Sequence, residues 1–206
     1  YSFRRCPYAM RARMALILAS KKCELREIVL KNKPKEMLNI SAKATVPVLE
    51  FPNEVLDESL DIISWAMQPH PESVHIYSTK EKLMSESLIQ MFDSKFKYHL
   101  DRYKYASRYE TDSFEHQEEC KNILENLELK IDPCPWIFGE KVSLLDISIL
   151  PFIRQCKIAN PDWFFIQSFV NVINLLNNFE SSDLFSHAMQ KYAIWDPIKN
   201  NGNIFP

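Results

Sequence analysis

Over the first third of this 206-residue chain, short runs with apolar residues at every second position alternate with longer runs in which they recur every three or four. The first pattern suits a half-buried strand and the second a helix with one buried face. Residues 1–3 read as the visible end of a first strand. Residues 7–20 read as a helix whose apolar positions include Met10, Met14, Leu16, Ile17 and Leu18. Residues 23–29 alternate as a second strand, and 34–39 form a short helical or irregular piece. A third strand over 48–51 and a fourth over 55–56 flank a turn at Pro52-Asn53, and 59–67 close the unit as a helix.

The pattern then changes. In Gln68-Pro69-His70-Pro71-Glu72-Ser73 two prolines remove backbone donors and disfavour helix in the residues before them. This predicts an α/β domain over 1–68, a linker over 69–78 and an all-helical domain over 79–206. Helical periodicity marks 79–105, 112–130, 144–158, 168–179 and 182–191, and the tail from Tyr192 reads as irregular. One helix start is sharply written: Ser143 is followed three positions later by Asp146, so each side chain can bond the other's backbone N–H, and Gly139 supplies the preceding turn.

Composition narrows the classes. A hydrophobic fraction of 46%, a charged fraction of 25% and a net charge of −2 describe a globular chain with no general attraction to nucleic acid or anionic membrane. No apolar run approaches the roughly 20 residues that span a bilayer, and the visible start has no signal-peptide pattern. Five cysteines, at 6, 23, 120, 134 and 156, do not make a disulfide framework and point to a reducing, cytoplasmic setting. The histidines lack metal-ligand spacing, so no metal is expected. With only two glycines the chain offers no glycine-rich phosphate loop.

Four features of the first third carry candidate chemistry, and each also has a plain structural reading. Cys6 stands where a strand ends and a helix begins, followed by Pro7, which suits the first helical turn. A cysteine is often just a small buried residue. At a helix N-cap, however, the helix dipole together with Arg4, Arg5 and Arg11 favours the thiolate. Ala9 stands where a Cys-x-x-Cys pair would have its second thiol, so the chemistry is monothiol. Pro47 in Thr45-Val46-Pro47-Val48 is either an edge device or a cis site that presents the Val46 backbone to an extended ligand. Glu58 and Ser59 are either a solvated charge and a helix cap or a site for an α-amino-acid end, the hydroxyl meeting its carboxylate and Glu58 its ammonium. The run Lys31-Asn32-Lys33-Pro34-Lys35 is either a solvated loop or the source of a lysine for a second carboxylate.

Together, Arg5-Cys6-Pro7-Tyr8-Ala9, Lys31-Asn32-Lys33-Pro34, Val46-Pro47-Val48-Leu49, Glu58-Ser59 and the Ser143 to Asp146 box resemble the cysteine-type glutathione transferases, the Omega-like and related bacterial members above all. The resemblance runs in order through nearly the whole chain. It implies a thioredoxin-like N-terminal domain, a mixed sheet with flanking helices, followed by an all-helical C-terminal domain, and usually a homodimer. It further implies that Cys6 is the catalytic thiol and forms a mixed disulfide with glutathione. Val46, before a cis Pro47, would pair with the cysteinyl part, Glu58 and Ser59 would hold the γ-glutamyl end, Lys33 would meet the glycyl carboxylate, and Tyr8 would lie beside the bound sulfur. Ala44-Thr45 departs from the pattern, since many relatives carry a glycine there.

The expected activity is thiol–disulfide exchange on a small disulfide, dehydroascorbate or a glutathionyl conjugate. Conjugation to an electrophile requires a hydroxyl that stabilises the glutathione thiolate, and Ser2 and Tyr8 are less well placed for this than Cys6. The second substrate is expected between the domains, against Tyr98, Arg102 and Tyr105, with Trp163, Phe164 and Phe165 as further wall candidates. Tyr98, Arg102 and Tyr105 have helical spacing and can equally pack along one helix face. A protein of this architecture can also be a binding or regulatory module, or an intracellular ligand carrier using the interdomain cleft. Cys6 together with Glu58, Ser59 and Lys33 argues for turnover.

Overall fold

The computed structural model describes residues 1–199 and 201–206. The chain forms two compact units, Tyr1–Glu72 with Ser181–Pro206, and Ser73–Glu180. The first unit is therefore built from both ends of the sequence shown. Residues 181–206, read from the sequence as part of the helical domain, group instead with the α/β part, because long-range backbone and side-chain bonds tie them there.

In the first unit, residues 1–3 lie between two neighbours. Ser2 donates to the Arg26 carbonyl at 3.0 Å and accepts from the Ile28 N–H at 2.9 Å, while Tyr1 accepts from the Val48 N–H at 3.1 Å. The second strand keeps regular pairing only over β1 (Cys23–Leu25), with a parallel bridge between Ser2 and Glu27 beyond it. The third and fourth strands are β2 (Leu49–Glu50) and β3 (Val55–Leu56), antiparallel, with Leu49 opposite Leu56. Helix α1 (Pro7–Leu18) buries its residues from Ala9 to Leu16 and packs against α3 (Ser59–Ala66). A separate apolar cluster, Ala9, Ile28, Met37, Val46 and Val48, brings in α2 (Lys35–Ile40) and is flanked by Phe3 and Cys6.

Most of the described tail residues are coil or turn, as expected, but the tail carries one short strand that the sequence did not show. β4 (Asn203–Phe205) pairs antiparallel with β1, Cys23 opposite Phe205, and upstream the Trp195 N–H donates to the Glu27 carbonyl at 2.8 Å. A strand edge that would otherwise present unpaired backbone groups is thereby covered. Before the tail, α11 (Asp183–Ala188) packs on α1.

The second unit is helical. The single helix expected over 79–105 is instead α4 (Thr79–Met91), a π-helical segment (Phe92–Phe96) and α5 (Lys97–Lys104). Phe92 and Phe96 are fully buried there, with ring centroids 4.6 Å apart. A short α6 (Ala106–Tyr109), which the sequence pattern did not separate, follows. Then comes α7 (Ser113–Glu128), capped by Asp112. In α8 (Leu144–Ala159) the Ser143–Asp146 box forms reciprocally. The Asp146 N–H donates to the Ser143 hydroxyl at 3.2 Å, and the Ser143 N–H donates to the Asp146 carboxyl at 2.8 Å. Asp146 also accepts from the Ile137 N–H, and burial lifts its carboxyl to about 6. The unit ends with α9 (Pro161–Phe165) and α10 (Val170–Ser181), whose first free N–H groups donate to Glu128. Among the described residues no helix is long and apolar enough to cross a membrane. None of their His, Cys, Asp and Glu side chains gather in threes that could hold a metal ion.

Candidate active site around Cys6

Cys6 is the N-cap of α1, with Pro7 as the first helical residue. The chain turns into the helix through the Cys6 N–H bond to the Phe3 carbonyl at 2.9 Å. The thiol does not cap the helix. Its Sγ lies 3.7 Å from the Val46 carbonyl, to which the S–H donates, and the Val46–Pro47 bond is cis. Val46 and Pro47 are buried and Cys6 is half-buried, packed against the cluster that contains Val46. Two segments forty residues apart are thus joined at the sulfur.

The arginines expected around the thiol also have other partners. Arg11 is buried and donates to the Ser59 hydroxyl at 3.4 Å, with its guanidinium 5.3 Å from the Tyr8 ring centre. Arg4 reaches the Met189 carbonyl at 3.3 Å, and the Arg5 guanidinium lies over the Phe3 ring. Arg11 thereby links Tyr8 to the Ser59 side of the site.

Ser59 is not the cap of α3. Glu58 holds the N-cap position and Ser59, 4% exposed, is the first helical residue. A residue missed by the sequence reading, Lys43, binds both acids beside it, at 2.7 Å from Glu58 and 2.9 Å from Asp57. Hydrogen bonds to Glu58 and then Asp57 push the Lys43 ammonium up to about 12, and those from Lys43 and Ser41 hold the Asp57 carboxyl below its usual range. The signal available in the sequence was a lone lysine just ahead of Ala44, which adopts φ 53 and so turns the chain toward Val46 without a glycine. Tyr8, Arg11, Ser59, Glu58 and Lys43 form one contiguous series. Lys33 lies elsewhere in the same unit, half-buried in the wall of a cavity of about 300 Å³.

Tyr98, Arg102 and Tyr105 belong to the second unit. The Arg102 guanidinium stacks between Tyr98, 3.5 Å from the ring centre, and Tyr109 at 4.6 Å, and donates to the Tyr98 carbonyl. Tyr98 and Tyr105 are each 49% exposed. Trp163 packs edge-on to Tyr103, Phe164 is fully buried among Trp163, Phe165 and Phe169, and Phe165 is half exposed. Beside them, His99 and His116 approach Nδ1 to Nδ1 at 2.9 Å, a pairing no sequence spacing announced.

A small sheet with a cysteine at its first helix start, a cis peptide bond following the residue whose carbonyl the thiol contacts, and a helical unit fit the expected glutathione-transferase fold. The comparisons agree: residues 1–73 match the family model described as glutathione S-transferase, N-terminal domain. Among solved structures, the chain is similar to glutathione transferase Omega 3C from Trametes versicolor, with 18% identity and a TM-score of 0.77 over 92% of this chain and 82% of that one. It is also similar to a glutathione transferase family member from Pseudomonas fluorescens with two glutathione bound, with 17% identity and a TM-score of 0.78 over 92% and 90%. A third similar structure is the bacterial Zeta-class maleyl pyruvate isomerase, with 18% identity and a TM-score of 0.72 over 92% and 97%. Residues 1–73 are thus similar to a glutathione S-transferase N-terminal domain, and the chain as a whole has the fold of these glutathione transferases.

Proposed function

We propose that this protein is a glutathione-dependent thiol transferase of the cysteine type. The observation that carries the reading is the Cys6 thiol at the start of α1, 3.7 Å from the carbonyl of Val46 and inside the stretch that matches the N-terminal domain model. Ionised Cys6 attacks the glutathionyl sulfur of a mixed disulfide. The new Cys6–glutathione S–S bond forms as the old one breaks, and the leaving thiolate takes up a proton. A second glutathione thiolate then attacks that bond, leaving as glutathione disulfide and restoring the Cys6 thiolate.

In this reading the Val46 backbone pairs with the cysteinyl part of glutathione and Pro47 holds the loop. Ser59, backed by the Arg11 guanidinium, takes the γ-glutamyl carboxylate, and Glu58 takes its ammonium in competition with Lys43. Tyr8 lies near the sulfur, and Lys33 attracts the glycyl carboxylate. Tyr98, Arg102 and Tyr105 contact the second substrate, a small disulfide or electrophile. The protein works as a homodimer in a reducing compartment such as the cytoplasm, without a metal.

The test is turnover of glutathione with a small symmetrical disulfide, alongside intact-protein mass spectrometry. Wild type should turn over and carry one glutathione per chain, whereas Cys6→Ser should do neither while still binding glutathione. Turnover that survives Cys6→Ser, on the disulfide or on an aryl halide, would falsify the cysteine mechanism.

A further inference from the structure

Glu58 is already paired with a cation of the chain's own. The Lys43 ammonium donates to Glu58 at 2.7 Å and to Asp57 at 2.9 Å, and the loop that carries it is pinned in place. The Ser41 hydroxyl donates to the other carboxylate oxygen of Asp57 at 2.8 Å, and the Ala44 N–H donates to the Ser41 carbonyl at 3.1 Å. Ala44, at φ 53, then turns the chain on toward Val46, whose carbonyl meets the Cys6 thiol. One short loop thus presents a cation to the acids ahead of α3 and a backbone carbonyl to the sulfur.

Bonded to two carboxylates, Lys43 keeps its proton at neutral pH. A ligand ammonium that approaches Glu58 therefore finds the acceptor taken. It gains Glu58 only as Lys43 gives that carboxylate up and falls back on Asp57. Both ion pairs are exposed to solvent, where such pairs are weak and similar in strength, so the exchange is close to neutral. The carboxylate beside that ammonium is served by other groups, the Ser59 hydroxyl with the Arg11 guanidinium behind it, and gains nothing from the loss of Lys43.

We infer that Lys43 is a specificity-determining residue: as the chain's own counterpart of a ligand α-ammonium, it makes the site nearly indifferent to that group. This rests on the glutathione reading and adds a ligand class to it. The site takes acyl-cysteinylglycine thiols that carry a carboxylate at the end of the acyl chain, with or without the ammonium.

Calorimetric titration of glutathione and of glutaryl-cysteinylglycine, which has hydrogen in place of the ammonium, tests this on wild type, Lys43→Met and Lys43→Arg. Wild type should bind the two within about threefold of each other. Lys43→Met should shift the ratio about fivefold toward glutathione, the effect of a strong exposed ion pair, and Lys43→Arg should keep the wild-type ratio. A loop merely disturbed by the substitution would weaken both ligands alike and leave the ratio where it was. The inference is overturned by an unchanged ratio in Lys43→Met, by Lys43→Arg behaving as Lys43→Met, or by a wild type that already prefers glutathione more than tenfold. Wild type that binds neither ligand removes the glutathione reading itself, and this inference with it.

Discussion

Arg13 lies 1% exposed in the middle of α1, where a charge needs every donor occupied. It bonds the Ser2 hydroxyl at 2.8 Å, pairs with Glu27, and donates to the Ala188 carbonyl at the end of α11 at 3.2 Å. With Arg4 on the Met189 carbonyl, two cations satisfy acceptors that a helix C-terminus leaves open. Removing the guanidinium takes the ion-pair partner from the buried Glu27 carboxylate, which keeps its bond from the Arg4 N–H at 2.8 Å. Arg13→Ala should therefore lose about 3–5 kcal/mol of stability in urea unfolding; a loss below about 1 kcal/mol would show the pair to be dispensable. At this scale Cys6 was legible and Arg13 was not. Pro7 and the strand before it fix the cysteine's position through neighbours a few residues away. The partners of Arg13 lie 11, 14 and 175 residues off in sequence, and no local pattern predicts a buried arginine.

Between elements, α5 and α7 meet through His99 and His116. One ring must donate and the other accept, so the pair tolerates one proton at that bond and resists a second. Burial, then the neighbouring His116, holds the His99 imidazole below its usual 6.5; Glu119 and Glu115 oppose the shift, and Arg102 reinforces it. An unfolded chain then binds the proton more readily than the folded one. Stability from this pair is complete above about pH 6.5 and declines as pH falls below it. Thermal melts from pH 7.5 to 5.5 should show a fall in Tm that His99→Gln makes shallower, and equal slopes would remove the histidine from the account. Asp146 acts in the opposite sense. Its carboxyl, lifted by burial from 3.8 to about 6, favours the folded state when protonated and withdraws that support as pH rises through this range. The longer helices were well written in the sequence, and so was the Ser143 box, because caps and periodicity are local; the short α6 and α9 were not. The break of the long helix at the π segment was not, since the burial of Phe92 and Phe96 decides it.

For the molecule as a whole, the fold class was readable because a strand-and-helix third followed by helices leaves few alternatives. The course of the tail was not. Residues 192–206 alternate weakly and carry Pro197 and Gly202. Gly202 matters because a Cβ there would run into the Glu24 side chain beside the β1 pairing. Only the open edge of β1, a partner about 180 residues away in sequence, gives the segment its strand. Ending the chain after Gln190 should lower Tm and raise aggregation, measured by melting and light scattering, because it exposes that edge; a truncated protein as stable and monodisperse as the full chain would show the edge to be protected otherwise. The candidate site was legible in the same uneven way: Cys6, Pro47 and Ser59 stand out by position, while Lys43 becomes visible only once the chain closes on itself.

The unit that carries the thiol brackets the helical unit in sequence. During synthesis, at about 5–20 residues per second, the ribosome must therefore read through all of Ser73–Glu180 before the strand that covers β1 exists. For several seconds the nascent chain presents Cys6 on a half-finished sheet, and every polypeptide released early keeps that sheet open. Completion of the amino-terminal unit thus reports that translation has passed the helical one.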